Sequence, residues 1–129
     1  MQFTFTQWQT ISFFSTLLQK GKYWECHEYL ENLWIEEQEQ QSKLFLGCLI
    51  HYATALYHQR NANKIGFQEQ LQKSLEKYKK ISYQKEALIS RETWIEFGKY
   101  LNNHLFLLLK GEKEGLTQEI LPFEFQWQL

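Results

Sequence analysis

The chain has 129 residues, 17% of them aromatic, enough for one hydrophobic core that buries roughly two-thirds of the unfolded surface. Its formal net charge of -1 rules out a strong overall field toward nucleic acid or an anionic membrane. Every acidic residue is Glu, which excludes mechanisms that need an aspartate, and no run approaches the ~18 consecutive apolar residues of a membrane span.

In chain order, Trp8, Ile11, Phe14 and Leu18 step by three and four from Thr6, a possible N-cap, and stop at Gly21, which predicts a helix over about 6–20. Tyr23, Leu30, Leu33 and Trp34 continue the period until the polar run Glu36 to Gln41, predicting a second helix over about 22–38. Ser42 is a good N-cap for a third segment, and from Leu44 to Tyr57 nearly every residue is apolar or small, as in a helix covered on most sides. A turn at Asn61-Ala62-Asn63 leads to a fourth helix carried by Phe67, Leu71, Leu75 and Tyr78. Residues 81–89 leave room for a further turn or short helix. Ser90 then caps a last helix with the stripe Trp94, Phe97, Leu101, Leu105 and Leu108, ending at Gly111.

From Gly115 to Leu129 the chain holds its one proline, Pro122, and alternates Phe123, Phe125 and Trp127 with polar residues, a period that suits an extended segment. A lone strand cannot satisfy its backbone, so this tail is expected to lie on the helices, or on a second subunit, with its aromatics as anchors. The predicted fold class is all-α: one domain over 1–129, a compact bundle of about five helices with an extended aromatic C-terminal tail at 115–129.

Charge is unevenly placed. Residues 1–40 carry six Glu against two Lys, whereas 60–85 carry Arg60 and six lysines against Glu69 and Glu76. Such a run is usually a solvated helix face, so nucleic-acid binding is the weakest of the functional readings. Cys26 and Cys48 lack CxxC spacing and fall within apolar patterns, reading as small buried thiols. The N-terminus has neither a basic nor an unbroken apolar region, and a cytoplasmic location is expected.

The chemistry concentrates in the second helix. His27 and Glu31 are i, i+4 at the edge of the Tyr23, Leu30 and Trp34 stripe, so their side chains sit on adjacent turns and can hydrogen-bond or share an ion. A carboxylate there orients the imidazole and raises its basicity. His27-Glu28-Tyr29-Leu30-Glu31 also reads as HExxE, a variant of the zinc motif HExxH in which Glu28 would act as base. On the third helix Gly47, Cys48, His51, Thr54, Ala55 and His58 share a sector whose small residues permit close approach of another helix. His51 and His58 are ~10 Å apart along a straight helix, so at most one joins His27 and Glu31 on an ion. The structural reading makes the group a polar network holding register. The functional reading makes it a site.

These residues also carry a resemblance. Gly21-Lys-Tyr23-Trp-Glu25-Cys-His27-Glu28-Tyr-Leu-Glu31-Asn-Leu-Trp34, then Leu49-Ile50 and Ala55-Leu-Tyr57-His58, resembles the DUF309 family over about residues 14–80. Its pattern is G-x-Y-x-E-A-H-E-x-x-E-x-x-W, then Q-G-L-I-Q, then Y-H and a G-N-x-x-G turn. The resemblance implies a compact all-helical fold in a family named for its unknown function. It maps the family's positions onto Glu25, His27, Glu28, Glu31, Trp34 and His58, with Asn63 and Gly66 at the turn. Both glutamines of Q-G-L-I-Q are absent, His51 standing in place of the second, and the turn glycine is Ala62.

Two functions follow. One is a non-enzymatic structural or interaction module, as a homodimer or with a protein partner, in which the seam is structural. The other is a metal-dependent or acid/base hydrolase-like enzyme. Its catalytic residues would be His27, Glu28 and Glu31, and His27, Glu31 and His58 would hold a divalent zinc, manganese or iron. Glu25, Trp34, His51 and Asn63 complete the candidate site.

Overall fold

The computed structural model describes residues 3–84, 87–113 and 119–128. Among the described residues five helices follow one another: α1 (Phe5–Gln19), α2 (Tyr23–Glu36), α3 (Gln40–Arg60), α4 (Lys64–Lys79) and α5 (Arg91–Lys113). The expected all-α bundle is present. The helix ends differ from the sequence reading in ways that capping chemistry explains.

α1 starts at Phe5 because Thr4, and not Thr6, is the cap: its hydroxyl accepts from Gln7 N at 3.1 Å while the Gln7 side chain accepts from Thr4 N at 2.8 Å. This reciprocal pair satisfies two donors the helix cannot. Gly21, at φ +72°, takes the left-handed conformation that ends α1, and the Lys22 amide donates back to Leu17 O at 2.9 Å. α3 starts at Gln40, capped by Glu39, whose carboxylate accepts from the Gln41 and Ser42 amides at 3.1 and 2.6 Å. Ser42 is therefore a buried residue of the first turn and not the N-cap. Ser90 does cap α5, its hydroxyl accepting from Thr93 N at 3.1 Å, and α5 continues past Gly111 to Lys113.

α3 lies at the centre, packed most closely on α4 and next on α2. Phe45, Leu46, Cys48, Leu49, Tyr52, Ala53, Ala55 and Leu56 are all fully buried, which accounts for its lack of a polar face. The buried side chains form one cluster. It takes Trp8, Ile11, Phe14 and Leu18 from α1, Cys26 and Leu30 from α2, Phe67, Leu71 and Leu75 from α4, and Trp94, Phe97 and Leu101 from α5. Residues 81–84 and 87–89 form no helix.

Of the tail, residues 115–118 and Leu129 lie outside the described residues. From 119 to 128 it runs extended over the helices, as its alternation predicts. Ile120 and Phe125 are buried, Trp127 pairs with Ile89 in an isolated antiparallel bridge, and the Trp127 indole donates to Ser15 Oγ at 2.7 Å. Both cysteines are free and buried. Ser74 donates to Cys48 O at 2.8 Å, so the Cys48 thiol, 3.5 Å away, donates to the serine oxygen. Burial pushes both thiols up to about 12, which leaves almost no thiolate at neutral pH. No described helix is long and apolar enough to cross a membrane.

Candidate functional site

Three of the candidate residues, His27, Glu31 and His51, lie along the seam where α2 packs on α3. The entry to α2 is held by Arg60 at the far end of α3, which donates to Gly21 O and lays its guanidinium 4.3 Å from the Tyr23 ring centre. One turn later the His27 imidazole stacks on Trp24, with centroids 4.7 Å apart and planes at 17°. Trp24 in turn meets Tyr57 of α3 at 5.1 Å. The His27 ring is thus clamped from the α3 side, and its Nε2 stands 3.5 Å from a Glu31 carboxylate oxygen, the contact that i, i+4 spacing predicts. The Glu31 side chain is 44% exposed against 20% for His27. The pair sits at the rim of the seam, where charge pairing contributes at most ~1 kcal/mol. His27 Nδ1 is buried and makes no hydrogen bond to the described residues.

His51 projects into the same seam from α3. Its Nδ1 lies 2.7 Å from Gln70 Oε1 on α4. An amide oxygen only accepts, so Nδ1 carries the proton and the neutral ring keeps Nε2 as acceptor. Burial, and then the positive charge of Lys77 and Lys73, outweigh this hydrogen bond and hold the His51 pKa below its ordinary value of 6.5. His104, beside Tyr100 on α5, is lowered by burial alone.

A pH prediction follows from these two shifts. The unfolded chain takes up a proton near pH 6.5 where the folded one does not, so their contribution to stability is present above that pH and is lost as the pH falls through the folded values. Melting temperatures between pH 7.5 and 5 should therefore fall on acidification, and His51→Gln should flatten the slope. An unchanged slope in the variant would remove His51 from the account.

His58 is placed apart from this pair. Asn63, the N-cap of α4, accepts from the Gly66 amide at 2.9 Å, and its Nδ2 donates to His58 Nδ1 at 3.3 Å. A Cβ on Gly66 would stand 2.8 Å from both Asn63 Nδ2 and His58 Cγ, so glycine makes room for the imidazole. The preceding Ala62 has φ +57°. That is the left-handed conformation for which a turn uses glycine, and an alanine there costs about 1 kcal/mol.

Farther along the seam, Trp34 faces Gly47. A Cβ there would lie 3.0 Å from Lys77 Cδ and 3.7 Å from the Trp34 indole nitrogen, while Lys43 Nζ sits 4.4 Å over the Trp34 ring. Glu25 and Glu28 are exposed on α2. The structure therefore brings His27, Glu31 and His51 into one seam and gives His58 and Asn63 to the α3–α4 turn. Among the described residues, no three His, Cys or Glu are placed to hold one metal ion.

Sequence reasoning missed Trp24 and Gln70. Trp24 precedes His27 by three residues, a helical spacing that could have flagged it. Gln70 carries no local signal.

Comparison with known proteins places these residues in a family context. Residues 11–69 match the family described as "Domain of unknown function (DUF309)". A 44-residue segment, 34% of the chain, is 43% identical to the Bacillus subtilis (strain 168) protein named "Uncharacterized protein YpuF", and it spans 25% of that protein's length. No solved structure matches the chain. The resemblance read from His27-Glu28-x-x-Glu31 and its surroundings is borne out: residues 11–69, from the buried middle of α1 into α4, match the DUF309 family.

Proposed function

We propose that the chain is a non-enzymatic helical module in which the histidine and glutamate side chains form a structural polar seam, with His51 and His58 holding α3 and α4 in register, and the outer surface receives a partner. The observation that carries this reading is that the polar groups of the seam engage one another: His51 with Gln70, His58 with Asn63, and His27 with Glu31. The first two join α3 to α4 and restrict the angle at which those helices pack, whereas His27 and Glu31 meet within α2. A cytoplasmic location agrees with two free, buried thiols.

A second reading, a metal-dependent or acid/base hydrolase-like activity, is favoured by the buried, unpartnered His27 Nδ1. An imidazole with one free nitrogen beside a carboxylate suits zinc, manganese or iron, with Glu28 or Glu31 as base, and it needs a further donor such as His58 to close the set. Chain purified without chelator separates the two. The module reading expects sub-stoichiometric zinc, manganese and iron by elemental analysis, and no cation-dependent turnover of simple phosphate or carboxylate esters. Near-stoichiometric metal that His27→Ala removes, with turnover lost in Glu28→Gln, would overturn it in favour of the enzyme.

A further inference from the structure

α2 and α4 both pack on α3 and hardly touch each other, so α3 floors a groove between them. Lys43, Gly47 and His51 follow one another along that floor at i, i+4 and i+8, and Lys43 and His51 are half-buried, within reach of solvent. On the α4 side Gln70, Lys73 and Lys77 share a face, and Gln70 meets His51.

The middle of this groove gathers positive charge. Glycine weakens a helix interior, and at position 47 the missing Cβ makes room for a lysine: a Cβ there would stand 3.0 Å from Lys77 Cδ and 3.1 Å from its Cε. The half-buried Lys77 chain thus lies across α3. From the α2 side the Trp34 indole nitrogen stands 3.7 Å from the same point, and Lys43 Nζ lies 4.4 Å over the Trp34 ring. Among the described residues no carboxylate pairs with Lys43, Lys73 or Lys77, and the Trp34 N–H has no acceptor. The carboxylates nearby in sequence are turned elsewhere. Glu31 meets His27, Glu37 accepts from the Gln38 and Glu39 amides, and Glu39 from the Gln41 and Ser42 amides. Glu36 lies about 200° round α2 from Trp34, and Glu76 about 100° round α4 from Lys77.

We infer that this spot binds a phosphate group through the ammoniums of Lys43 and Lys77 and the indole N–H of Trp34, with Lys73 adding to the attraction one turn along α4. Two cations and a neutral donor match a dianion with several oxygens, whereas a carboxylate brings a single charge. An oxyanion here also relieves the repulsion among the three lysines. Their field is felt at His51, where burial and then Lys77 and Lys73 hold the pKa below 6.5.

The phosphate site goes beyond the module reading and uses neither His27 nor Glu28, so it and the metal and turnover test can fail separately. Calorimetric titration of the full chain with inorganic phosphate, at constant ionic strength in chloride, should give saturable binding with a Kd of about 1 mM or tighter. Lys43→Gln and Lys77→Gln should each weaken it about tenfold or more. Trp34→Phe, which keeps a ring under Lys43 and removes the N–H, should weaken it a few-fold. Lys79→Gln, on the opposite face of α4, should leave it within about twofold. Bound phosphate should raise the midpoint of the His51 ring titration followed by NMR, which binding elsewhere on the surface would not do. Glycerol 3-phosphate distinguishes two sources of the group: tighter binding than inorganic phosphate assigns the site to a phosphate ester, and equal or weaker binding to the free ion. No saturable binding to the wild-type chain would overturn the proposal. So would a loss in Lys79→Gln as large as in Lys77→Gln, which would mean general surface charge, or a His51 midpoint that phosphate leaves unmoved.

Discussion

Replacing Phe97 with alanine should lower stability by about 3–5 kcal/mol, the range for truncating a fully enclosed phenylalanine. The ring is completely buried and joins parts of the chain distant in sequence: Tyr52 of α3 at 5.2 Å, Tyr78 of α4 at 6.2 Å, Trp94 and Tyr100 of its own helix, and Phe123 and Phe125 of the tail at 5.2 and 4.8 Å. These neighbours are rings fixed by one another and cannot easily close over the gap, so the cavity term adds to the lost transfer energy. A domain of this size has only ~6–19 kcal/mol in all, and its melting temperature should drop by about 10–20 °C. Urea titration should move the midpoint at constant slope. Phe5→Ala, at a side chain 57% exposed, is the control, with a change within ~0.5 kcal/mol. If Phe97→Ala cost no more than the control, the tail and α5 would not be packed on this ring. Because Phe97 and Phe125 touch, the double variant should cost less than the two single losses added together.

The difference between what could and could not be read beforehand follows one physical line. Buried stripes repeat at the helical period whatever they pack against, so Trp8, Ile11, Phe14 and Leu18, and Trp94, Phe97 and Leu101, were legible as core without a partner in view, and all seven are buried. Leu105 and Leu108 continue that second stripe in sequence but are only half-buried, because nothing in the periodicity says where the bundle ends. Helix starts were harder to read, since several residues in a row can cap and the loop geometry chooses between them. Glu39, which reads only as part of the polar run Glu36 to Gln41, holds the first amides of α3 in place of Ser42. The site divides the same way. His27 and Glu31 are one turn apart on one helix, so their contact is local and was predictable. The partners of His51 and His58 depend on how α3 meets α4, and their common sector on the helical wheel could not show that one reaches Gln70 while the other turns to Asn63.

The second large effect is expected at Tyr52, whose hydroxyl holds the tail at Phe123. Tyr100 Oη donates to Leu121 O, and since a hydroxyl has one proton, its contact with Tyr52 Oη at 3.0 Å must be one in which Tyr52 donates. Tyr52 Oη in turn accepts from the Phe123 amide at 2.7 Å. The chain of three bonds links α3, α5 and the tail on either side of Pro122. Burial raises the pKa of Tyr52 well above its usual value and pushes Tyr100 up to about 12, so both hydroxyls stay protonated in the folded chain where the unfolded tyrosines would ionise near 10. Their stabilising contribution is present below that pH and is lost as pH rises above it. Tyr52→Phe keeps the ring and its packing but leaves the Phe123 amide without an acceptor and Tyr100 without its donor, for a loss of about 1–3 kcal/mol. The loss should be local in origin. Hydrogen exchange should show the Phe123 amide protected in the wild-type chain and fast in the variant, with the amides of α3 and α4 slowed as before, and the alkaline decline of stability above pH 10 should be shallower. A Phe123 amide that exchanges equally fast in both chains would mean that the tail is not held by Tyr52, and its docking would then rest on the apolar contacts of Ile120, Phe125 and Trp127 and on its other hydrogen bonds, among them those of Gln59 with Ile120, Tyr100 with Leu121 O, Trp127 with Ser15 and the Gln128 amide with Leu88 O.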